Sequence, residues 1–303
     1  MHREPKLIGN SLPIQKLRHF IKKAAKSDAT VLLLGETGVG KEVAARMIHL
    51  QSHRCKNPFV KINCANLSDT MIESELFGHK KGAFTDAVID KPGLMEEADG
   101  GTFFCDEIAD ISPNLQAKFL SVLEDRELRR LGENRTREID VRFILATNRN
   151  LYKLVEKGKF RKDLFYRISV LSFQISPLRE RKGDIPLLID FLIERESKRK
   201  SEDFMLSQEA FGKLLRHSFP GNVRELENIL EGAIVFTDNS VIEEKDILFT
   251  KVTCETEVKY RSRYSFDKIL DTMVKHQGNK TKAAQELGIS RMHFYRLLDE
   301  LRK

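Results

Sequence analysis

One stretch of the sequence combines glycines with a lysine at a spacing that suits phosphate binding. It reads GETGVGKE from Gly35 to Glu42, follows the apolar run VLLL and leads into the helical pattern EVAARMIHL. Glycines let backbone N–H groups wrap around phosphates, a helix N-terminus adds positive potential, and Lys41 reaches the β- and γ-phosphate oxygens. This order of strand, loop and helix predicts a nucleotide site rather than an ordinary glycine turn. Its residues are Gly35, Glu36, Thr37, Gly38, Val39, Gly40, Lys41 and Glu42.

Two adjacent carboxylates, Asp106 and Glu107, end the apolar run GGTFFCDE. After a phosphate-binding loop, an Asp in this position can hold hydrated magnesium, and a neighbouring Glu can orient and deprotonate an attacking water. The residue after Lys41 is Glu42, not the Ser or Thr that usually contacts the metal, so Asp106 is the metal candidate. Together with the phosphate loop, the pair predicts nucleotide hydrolysis rather than a merely solvated strand end.

Polar residues also end two other apolar runs. FVKIN ends in Asn63, and VRFILATN ends in Thr147 and Asn148. Beside the carboxylate strand, such ends would lie near the γ-phosphate, and Asn148 is the candidate for sensing it. Each residue alone is typical of an ordinary transition from strand to loop.

The elements that carry these residues have the pattern of an α/β fold. The runs VLLL, FVKIN, TFFCDE and VRFILATN are short, rich in β-branched or aromatic residues, and bounded by glycines or polar turns. Buried strands of a parallel sheet have this pattern, and helical patterns alternate with them up to about Ile175. From Pro177 onward, helical stretches follow one another with no strand between them, which predicts a second, helical domain.

The C-terminal segment GNKTKAAQELGISRMHFYRLLDELRK predicts a helix-turn-helix. Two alanines and a leucine have core spacing, Gly288 permits a sharp turn, and Ser290 caps a second helix that would enter the major groove of DNA. A helical bundle that binds protein is the alternative. An apolar face before this segment would form a dimer or pack the reading helix, and both remain open. The candidate DNA contacts are Lys280, Lys282, Ser290, Arg291, His293 and Arg296.

These patterns divide the chain into four parts. They are residues 1–176 (α/β), 177–249 (helical), 250–263 (a polar linker) and 264–303 (helix-turn-helix). Because few residues precede the nucleotide motifs, we expect control to come from a separate protein, from expression level or from a segment absent from this chain.

Composition limits the class of protein. The 303 residues carry Lys+Arg 52 and Asp+Glu 45, a net charge of +7, which fits an anionic partner such as nucleic acid. Four cysteines stand far apart in the sequence, which favours neither a zinc site nor a disulfide framework. There is no signal-peptide core, and no run approaches the roughly 20 apolar residues of a membrane span. We therefore expect a cytoplasmic protein without a membrane partner.

Taken in order, these motifs resemble the AAA+ ATPase domain of bacterial enhancer-binding proteins, the activators of sigma-54 RNA polymerase, from about Leu7 to Phe249. ELFGHKKGAFTDA, FRKDLFYRISV and FPGNVRELEN are similar to that family's signature loop, arginine-finger and lid motifs. The C-terminal unit resembles its factor-for-inversion-type DNA-binding domain. The resemblance implies an AAA+ P-loop fold with a helical lid, ATP and Mg²⁺ as cofactors, and ATP hydrolysis that remodels the closed complex of sigma-54 RNA polymerase. It also implies a ring, expected to be a hexamer, and binding to enhancer DNA as dimers.

The resemblance also assigns roles to single residues. Asn63 is similar to the switch residue that pairs with Glu107, and Arg224 to a second sensor contributed by the lid. Arg161 and Arg167 resemble the arginines that reach the γ-phosphate of a neighbouring subunit. A finger of this kind raises turnover by roughly three to five orders of magnitude. From the residues alone, both arginines would be typical of a solvated helix face.

The signature loop departs from the family at one position. The family loop usually reads GAFTGA, whereas this chain has Asp86 in place of the second glycine. Asp tolerates left-handed backbone angles, but it adds a charge beside the contact point. The alternative function is therefore an ATP-binding and DNA-binding regulator that acts without sigma-54. The residues of the contact loop are Gly82, Ala83, Phe84, Thr85, Asp86 and Ala87.

The aromatic ring of the loop has two interpretations. An exposed Phe84 at the tip favours contact with a partner. The alternative is a ring that folds back under the loop. A P-loop enzyme that acts on a small molecule is a further alternative, but the helix-turn-helix and the paired arginines have no place in it.

Overall fold

The computed structural model describes residues 5–66, 68–84, 87–237, 240–249, 272–273, 275–276 and 280–287. The chain divides into two units, Met1–Leu248 and Phe249–Lys303. Some predicted features lie outside the described residues, namely the linker 250–263, Thr85 and Asp86 of the contact loop, and Ser290, Arg291, His293 and Arg296 of the helix-turn-helix.

Helices and strands alternate through the first part of the chain. In chain order the elements are α1 (Leu12–Ala24), β1 (Val31–Leu34), α2 (Lys41–Leu50), β2 (Phe59–Asn63), α3 (Asp69–Phe77), β3 (Gly78–His79), β4 (Lys91–Pro92), α4 (Leu94–Glu97), β5 (Thr102–Asp106), α5 (Pro113–Asp125), β6 (Glu127–Arg129), β7 (Thr136–Glu138), β8 (Arg142–Thr147), α6 (Leu151–Glu156), α7 (Lys162–Ile168) and β9 (Leu171–Gln174). They continue with α8 (Ile185–Lys200), β10 (Met205–Leu206), α9 (Gln208–Arg216), α10 (Asn222–Phe236), β11 (Val241–Ile242) and α11 (Lys280–Glu286).

One parallel sheet holds the predicted strands. Its order is β2-β5-β8-β1-β9, and all four pairings are parallel. The strands β1, β2, β5 and β8 begin and end within one residue of the predicted runs. Because the strands run in one direction, their carboxyl ends, where the polar candidates stand, lie along one edge of the sheet.

The edge strand β9 was not predicted. Its residues LSFQ alternate between half-buried and exposed positions, because the strand has a neighbour on one side only. A search for continuous apolar runs therefore misses β9. Its alternating pattern is also hard to recognise, because four residues are too few to establish a period of two.

Apolar side chains cover both faces of the sheet. Leu33, Phe104 and Ile144 pack with α1 and α2 on one face, whereas Leu32 and Phe103 pack with α3 and α5 on the other. Consecutive strand residues point to opposite faces. Phe103 and Phe104 therefore pack into the apolar cores on opposite sides of the sheet. Burial of each such side chain contributes about 1.5–3 kcal/mol, which makes the sheet a rigid support for the residues at its edge.

Helix α1 is amphipathic. It begins after Ser11 with Pro13 in its first turn, where the missing N–H of proline has no intrahelical partner to lose. The residues that face the sheet recur three or four positions apart and are Ile14, Leu17, Ile21 and Ala24. The opposite face is exposed.

The region after Pro177 is a helical lid, formed by α8, α9 and α10. Helices α8 and α10 contact each other. The expectation of no strand in this region is wrong, because Met205–Leu206 pairs in parallel with Val241–Ile242. A ladder of two residues is too short to leave a period-two pattern in the sequence.

The second unit contributes α11, the first helix of the predicted helix-turn-helix. Its Ala283 and Ala284 are buried, as core spacing requires. Among the helices of the described residues, none combines the length and the apolar composition needed to cross a membrane.

Candidate nucleotide site

The glycine-rich loop joins β1 to α2 with left-handed backbone at its glycines. Gly38 has φ 79° and Gly40 has φ 105°, angles that favour glycine. A Cβ at Gly38 would lie 2.3 Å from the carbonyl oxygen of Gly221. Glycine at position 38 is therefore required twice, by the backbone angle and by the close approach of the lid.

Lys41 is buried beside this loop, with 6% of its surface exposed. Its Nζ donates to the carbonyl oxygen of Gly35 at 2.9 Å and lies 3.5 Å from Oε1 of Glu107. A lysine held mainly by neutral carbonyl oxygens keeps a charge that an anionic ligand can neutralise.

The two carboxylates stand at the end of β5 in different conformations. Burial raises the pKa of the Asp106 carboxyl, although the Lys41 charge acts in the opposite direction. Glu107 has left-handed backbone with φ 55°, which costs a non-glycine residue free energy and is common at functional sites. Its Oε2 accepts hydrogen bonds from the Asn148 N–H at 3.0 Å and from the Thr147 hydroxyl at 3.3 Å.

The expected pair between Asn63 and Glu107 is not formed among the described residues. Asn63 Oδ1 accepts the N–H of Ala65 at 2.9 Å, a local turn that Asn favours at a strand end. The Glu107 carboxylate is instead held by the end of β8 and by Lys41. The side chain of Asn148 reaches the phosphate loop, since its Nδ2 donates to Thr37 Oγ1 at 3.0 Å.

A cavity of about 590 Å³ brings most of the predicted residues together. Residues 37–42 of the loop line it, together with Asn63, Asp106, Glu107, Asn148 and Arg224. Glu42 lies at this cavity with its Oε1 paired to Lys61 at 2.9 Å and Arg46 at 3.1 Å. Its carboxylate is therefore already neutralised by two cations.

Gly35 and Glu36 do not line the cavity. Glu36 points to the lid, where Arg179 donates two hydrogen bonds to it at 2.8 and 2.6 Å. These bonds hold the pKa of Glu36 below its ordinary value. The sequence placed Glu36 among the nucleotide contacts, but its side chain joins the loop to the lid.

Asn222 completes this junction between loop and lid. It is fully buried, has φ 56°, and donates from Nδ2 to Glu36 Oε2 and to the carbonyl oxygen of Thr37, both at 3.1 Å. Its Oδ1 accepts the N–H of Leu178 at 2.7 Å. The next residue, Val223, donates its N–H to the carbonyl oxygen of Gly38 at 3.1 Å. The lid therefore fixes the backbone of the phosphate loop.

Sequence reasoning missed several residues of the cavity. Leu7, Ile8 and Leu188 give it an apolar wall, which suits the flat face of a nucleotide base. Arg181 also lines it, is 3% exposed, and donates from Nη2 to the carbonyl oxygen of Val39 at 3.1 Å. Burial lowers the pKa of Arg181. In the sequence, Arg181 follows closely after the predicted start of the helical domain at Pro177. Its spacing gives no indication that it contacts the phosphate loop.

Arg161 and Arg167 lie apart from the cavity. The Arg161 guanidinium pairs with Asp163 at 2.7 Å, and Arg167 Nη2 donates to the carbonyl oxygen of Leu123 at 3.0 Å. Neither lines the cavity of its own chain. A contact between these arginines and a nucleotide therefore needs a second copy of the chain.

The contact loop has a well-defined base. Gly82 N–H donates to the carbonyl oxygen of Ala87 at 2.8 Å, and Lys80 pairs with Asp90 at 2.5 Å. Phe84 is 41% exposed, and its ring packs in an edge-to-face arrangement with the His79 ring, with ring centroids 5.0 Å apart. The Phe84 ring is thus partly exposed and partly packed against His79. It corresponds fully neither to a ring exposed for a partner nor to a ring folded back under the loop.

Comparison with known proteins decides the family. Residues 7–174 match the Sigma-54 interaction domain, residues 179–258 the AAA+ ATPase lid domain, and residues 265–301 the bacterial regulatory protein, Fis family. The chain belongs to the sigma-54 interaction domain family. Its matched region contains the glycine-rich loop, both carboxylates and the contact loop.

Curated relatives of this sigma-54 interaction domain protein are regulators. The Nif-specific regulatory protein of Azotobacter vinelandii is 46% identical over 253 residues, which are 84% of this chain and 48% of the relative. The transcriptional regulatory protein ZraR of Salmonella typhimurium is 43% identical over 94% of this chain and 66% of the relative. The chain thus spans about half to two thirds of the length of these relatives.

A solved structure shares the fold of this sigma-54 interaction domain protein. NtrX from Brucella abortus, in complex with ADP, has a TM-score of 0.76 and 31% identity, and covers 99% of this chain and 69% of its own. The fold is therefore an AAA+ P-loop fold with a helical lid, and the C-terminal helix-turn-helix is assigned by the match to the Fis family. In α11, Lys282 is exposed and Lys280 is half-buried.

Proposed function

We propose that this protein is an ATP-hydrolysing transcriptional activator that remodels the closed complex of sigma-54 RNA polymerase while bound to upstream DNA in the cytoplasm. The observation that carries the proposal is the cavity at the carboxyl edge of the sheet, where Lys41, Asp106, Glu107 and Arg224 meet. The family supports the assignment, and so does the relative NtrX, which was crystallised with ATP as well as ADP.

The residues present fit ATP with Mg²⁺. The glycine cradle admits no Cβ at position 38, and the ion pair that the buried Lys41 forms with Glu107 is long, at 3.5 Å. Asp106, with a pKa raised by burial, gains a compensating charge when a hydrated divalent ion lies beside it. Bound ATP and Mg²⁺ supply the phosphoryl group and the charge that activates it.

Each side chain of the site has a different role in ATP hydrolysis. Lys41 would neutralise charge on the β- and γ-phosphate oxygens, and Asp106 would hold the metal, which supplies charge that stabilises the transferred phosphoryl group. Glu107 orients the attacking water and accepts its proton, while its hydrogen bonds from Thr147 and Asn148 fix the carboxylate in place. Arg224 contacts the phosphates from the lid, and Asn63 changes partner as the nucleotide state changes.

Hydrolysis requires a ring of subunits, which we take to be a hexamer. Arg161 and Arg167 do not line their own cavity, so they serve the cavity of a neighbour, where a guanidinium stabilises charge on the transferred phosphoryl group. Residues 82–87 contact sigma-54, and the half-exposed Phe84 is the principal apolar contact. The C-terminal unit binds DNA as a dimer through Lys280, Lys282, Ser290, Arg291, His293 and Arg296.

Open-complex formation on a sigma-54 promoter tests the proposal. Purified protein with ATP should open the promoter, and Phe84→Ala should abolish opening while ATP hydrolysis continues. Glu107→Gln should stop both, and serves as the control for coupling. If the parent protein hydrolyses ATP but opens nothing, and Asp86→Gly restores opening, the protein is instead a regulator that acts without sigma-54.

A further inference from the structure

The exposed face of α1 carries cations and no carboxylate. Its exposed residues are Leu12, Gln15, Lys16, His19, Lys22 and Lys23, and the exposed Lys26 follows in the next turn. At 3.6 residues per turn, these positions fall within an arc of about 120°. One side of the helix is therefore a continuous cationic stripe, which we call the α1 stripe.

The lysines of the stripe do not form ion pairs with any other residue that the structure describes. Helix α8 is a useful contrast, since it too ends in three basic residues. There, Lys198 pairs with Glu194, and Arg199 pairs with Glu231 at 2.9 Å. The usual arrangement of a solvated basic helix is thus present in this protein, and α1 departs from it.

Helix electrostatics explain only part of the stripe. Cations in the last turn of a helix stabilise its C-terminal carbonyl groups, which accounts for Lys22 and Lys23. The effect falls off within one turn, so it does not account for Lys16 or His19. Like charges placed three or four residues apart destabilise a helix slightly. This cost falls on Lys22, Lys23 and Lys26, and an external anion would offset it.

The spacing of the stripe suits one strand of a duplex. From Lys16 to Lys26, helix α1 and the turn that follows it rise about 15 Å. Along the axis of a duplex this length corresponds to about four phosphates of one strand, at 3.4 Å per phosphate. We propose that the α1 stripe binds the phosphate backbone of duplex DNA, a second contact that is separate from the helix-turn-helix. Lysines position DNA without reading its sequence, so this contact holds whatever sequence lies against it. The proposal rests on the DNA binding proposed above.

Charge-neutral variants test the stripe. The affected protein carries Lys16→Gln, Lys23→Gln and Lys26→Gln, and the matched control carries Lys198→Gln, Arg199→Gln and Lys200→Gln on α8, which removes the same net charge. Binding of a fluorescein-labelled duplex of arbitrary sequence is followed by anisotropy between about 50 and 200 mM salt. Neither set lines the nucleotide cavity, so ATP turnover of both variants should equal that of the parent.

The slope of log affinity against log salt gives the decisive readout. Each phosphate contact contributes about 0.9 to its magnitude, so the α1 variant should lose about 2 to 3 units and bind about tenfold more weakly. The α8 control should keep the parental slope and affinity. The charge-preserving variant Lys16→Arg, Lys23→Arg and Lys26→Arg should bind as the parent does, which also shows that these substitutions leave the helix folded.

The outcomes separate this proposal from the proposed function. If the parent binds the duplex and the α1 variant matches it in affinity and slope, the stripe is not a DNA contact. If the α1 variant loses binding to phosphatidylglycerol vesicles but keeps DNA binding, the proposal is also overturned. If the parent does not bind duplex DNA at any salt concentration, the proposed DNA function fails, and the stripe proposal fails with it.

Discussion

Two buried cations stand at opposite edges of the same sheet. Lys41 lies at the carboxyl edge and Arg54 at the amino edge, and each is 6% exposed. Arg54 donates to Asp28 at 3.1 and 3.2 Å, to the Asp140 carboxylate at 2.8 Å, and to the carbonyl oxygens of Asp140 and Gly101. Among the described residues, Lys41 is paired with one carboxylate, that of Glu107 at 3.5 Å, and otherwise donates to carbonyl oxygens of its own loop.

A structural charge is distinguished from a functional one by how completely the protein compensates it. Every N–H direction of Arg54 is matched by protein oxygens, so the side chain ties together the segments before β1, β5 and β8. Lys41 keeps a charge that the protein compensates weakly, which leaves it ready for an anion. The same distinction separates the paired cations of α8 from the α1 stripe.

The largest effect on stability should come from Arg54→Met. Arg54 is buried, whereas the side chains of Asp28 and Asp140 are 45% and 76% exposed. Its substitution should cost about 3 kcal/mol, because charged hydrogen bonds to these carboxylates and to two carbonyl oxygens are lost. Thermal denaturation should show a melting temperature about 6 to 12 °C below that of the parent. Arg54→Lys should recover only part of the loss, since an ammonium group cannot span both carboxylates. An unchanged melting temperature would contradict a structural role for Arg54.

Lys41→Ala should reverse this pattern, with loss of activity and little loss of stability. Removal of a charged donor to the transferred phosphoryl group should lower ATP turnover by at least about 100-fold. The melting temperature without nucleotide should remain within a few degrees of the parent. Phosphate release and thermal denaturation measure the two quantities. A large fall in melting temperature would place Lys41 with Arg54 as a structural cation.

Glu36→Gln tests a charge between these two extremes. Glu36 is paired, as Arg54 is, but it lies in the phosphate loop beside the nucleotide cavity. The Glu36 and Arg179 pair is about half-exposed, so its loss should cost less than about 1 kcal/mol of stability. We expect a rise of about threefold in the KM for ATP, because the loop loses a tie to the lid. Arg179→Gln should have the same effect, and the double variant should add nothing further. Additive effects in this double-mutant cycle would show that the two residues act separately.

The smallest predicted effect is on the stability of the protein at acidic pH, through the carboxyl group of Asp28. Burial alone would raise the pKa of Asp28, but the hydrogen bonds and charge of Arg54 outweigh it and hold the pKa below its ordinary value of 3.8. A carboxyl group with a lowered folded-state pKa stabilises the protein above its unfolded pKa, and this stabilisation is lost as pH falls through the folded value. Urea denaturation from pH 5 downward should therefore show a steeper loss of stability in the parent than in Asp28→Asn. Parallel curves would contradict the linkage.

The sequence predicted local features well and distant contacts poorly. Strands β1, β2, β5 and β8 were found because buried strands leave continuous apolar runs, and the loop was found because its glycines are required by local backbone angles. The contacts of Glu36 were not found, because Arg179 lies 143 positions away. The local turn of Asn63 with Ala65 was not found either, and the pairing of Asn63 with Glu107 stays a prediction.

The hydrogen bonds between loop and lid have a consequence for synthesis. Asn222 lies 185 positions after Thr37, so the loop leaves the ribosome long before the residues that fix its backbone. At about 5–20 residues per second, that delay is roughly 10 to 40 seconds. A nascent chain that ends before the lid would present a glycine-rich loop without its supports, and we expect it to retain nucleotide poorly. Competence for ATP would then arise late in translation, when nearly the whole first unit has emerged.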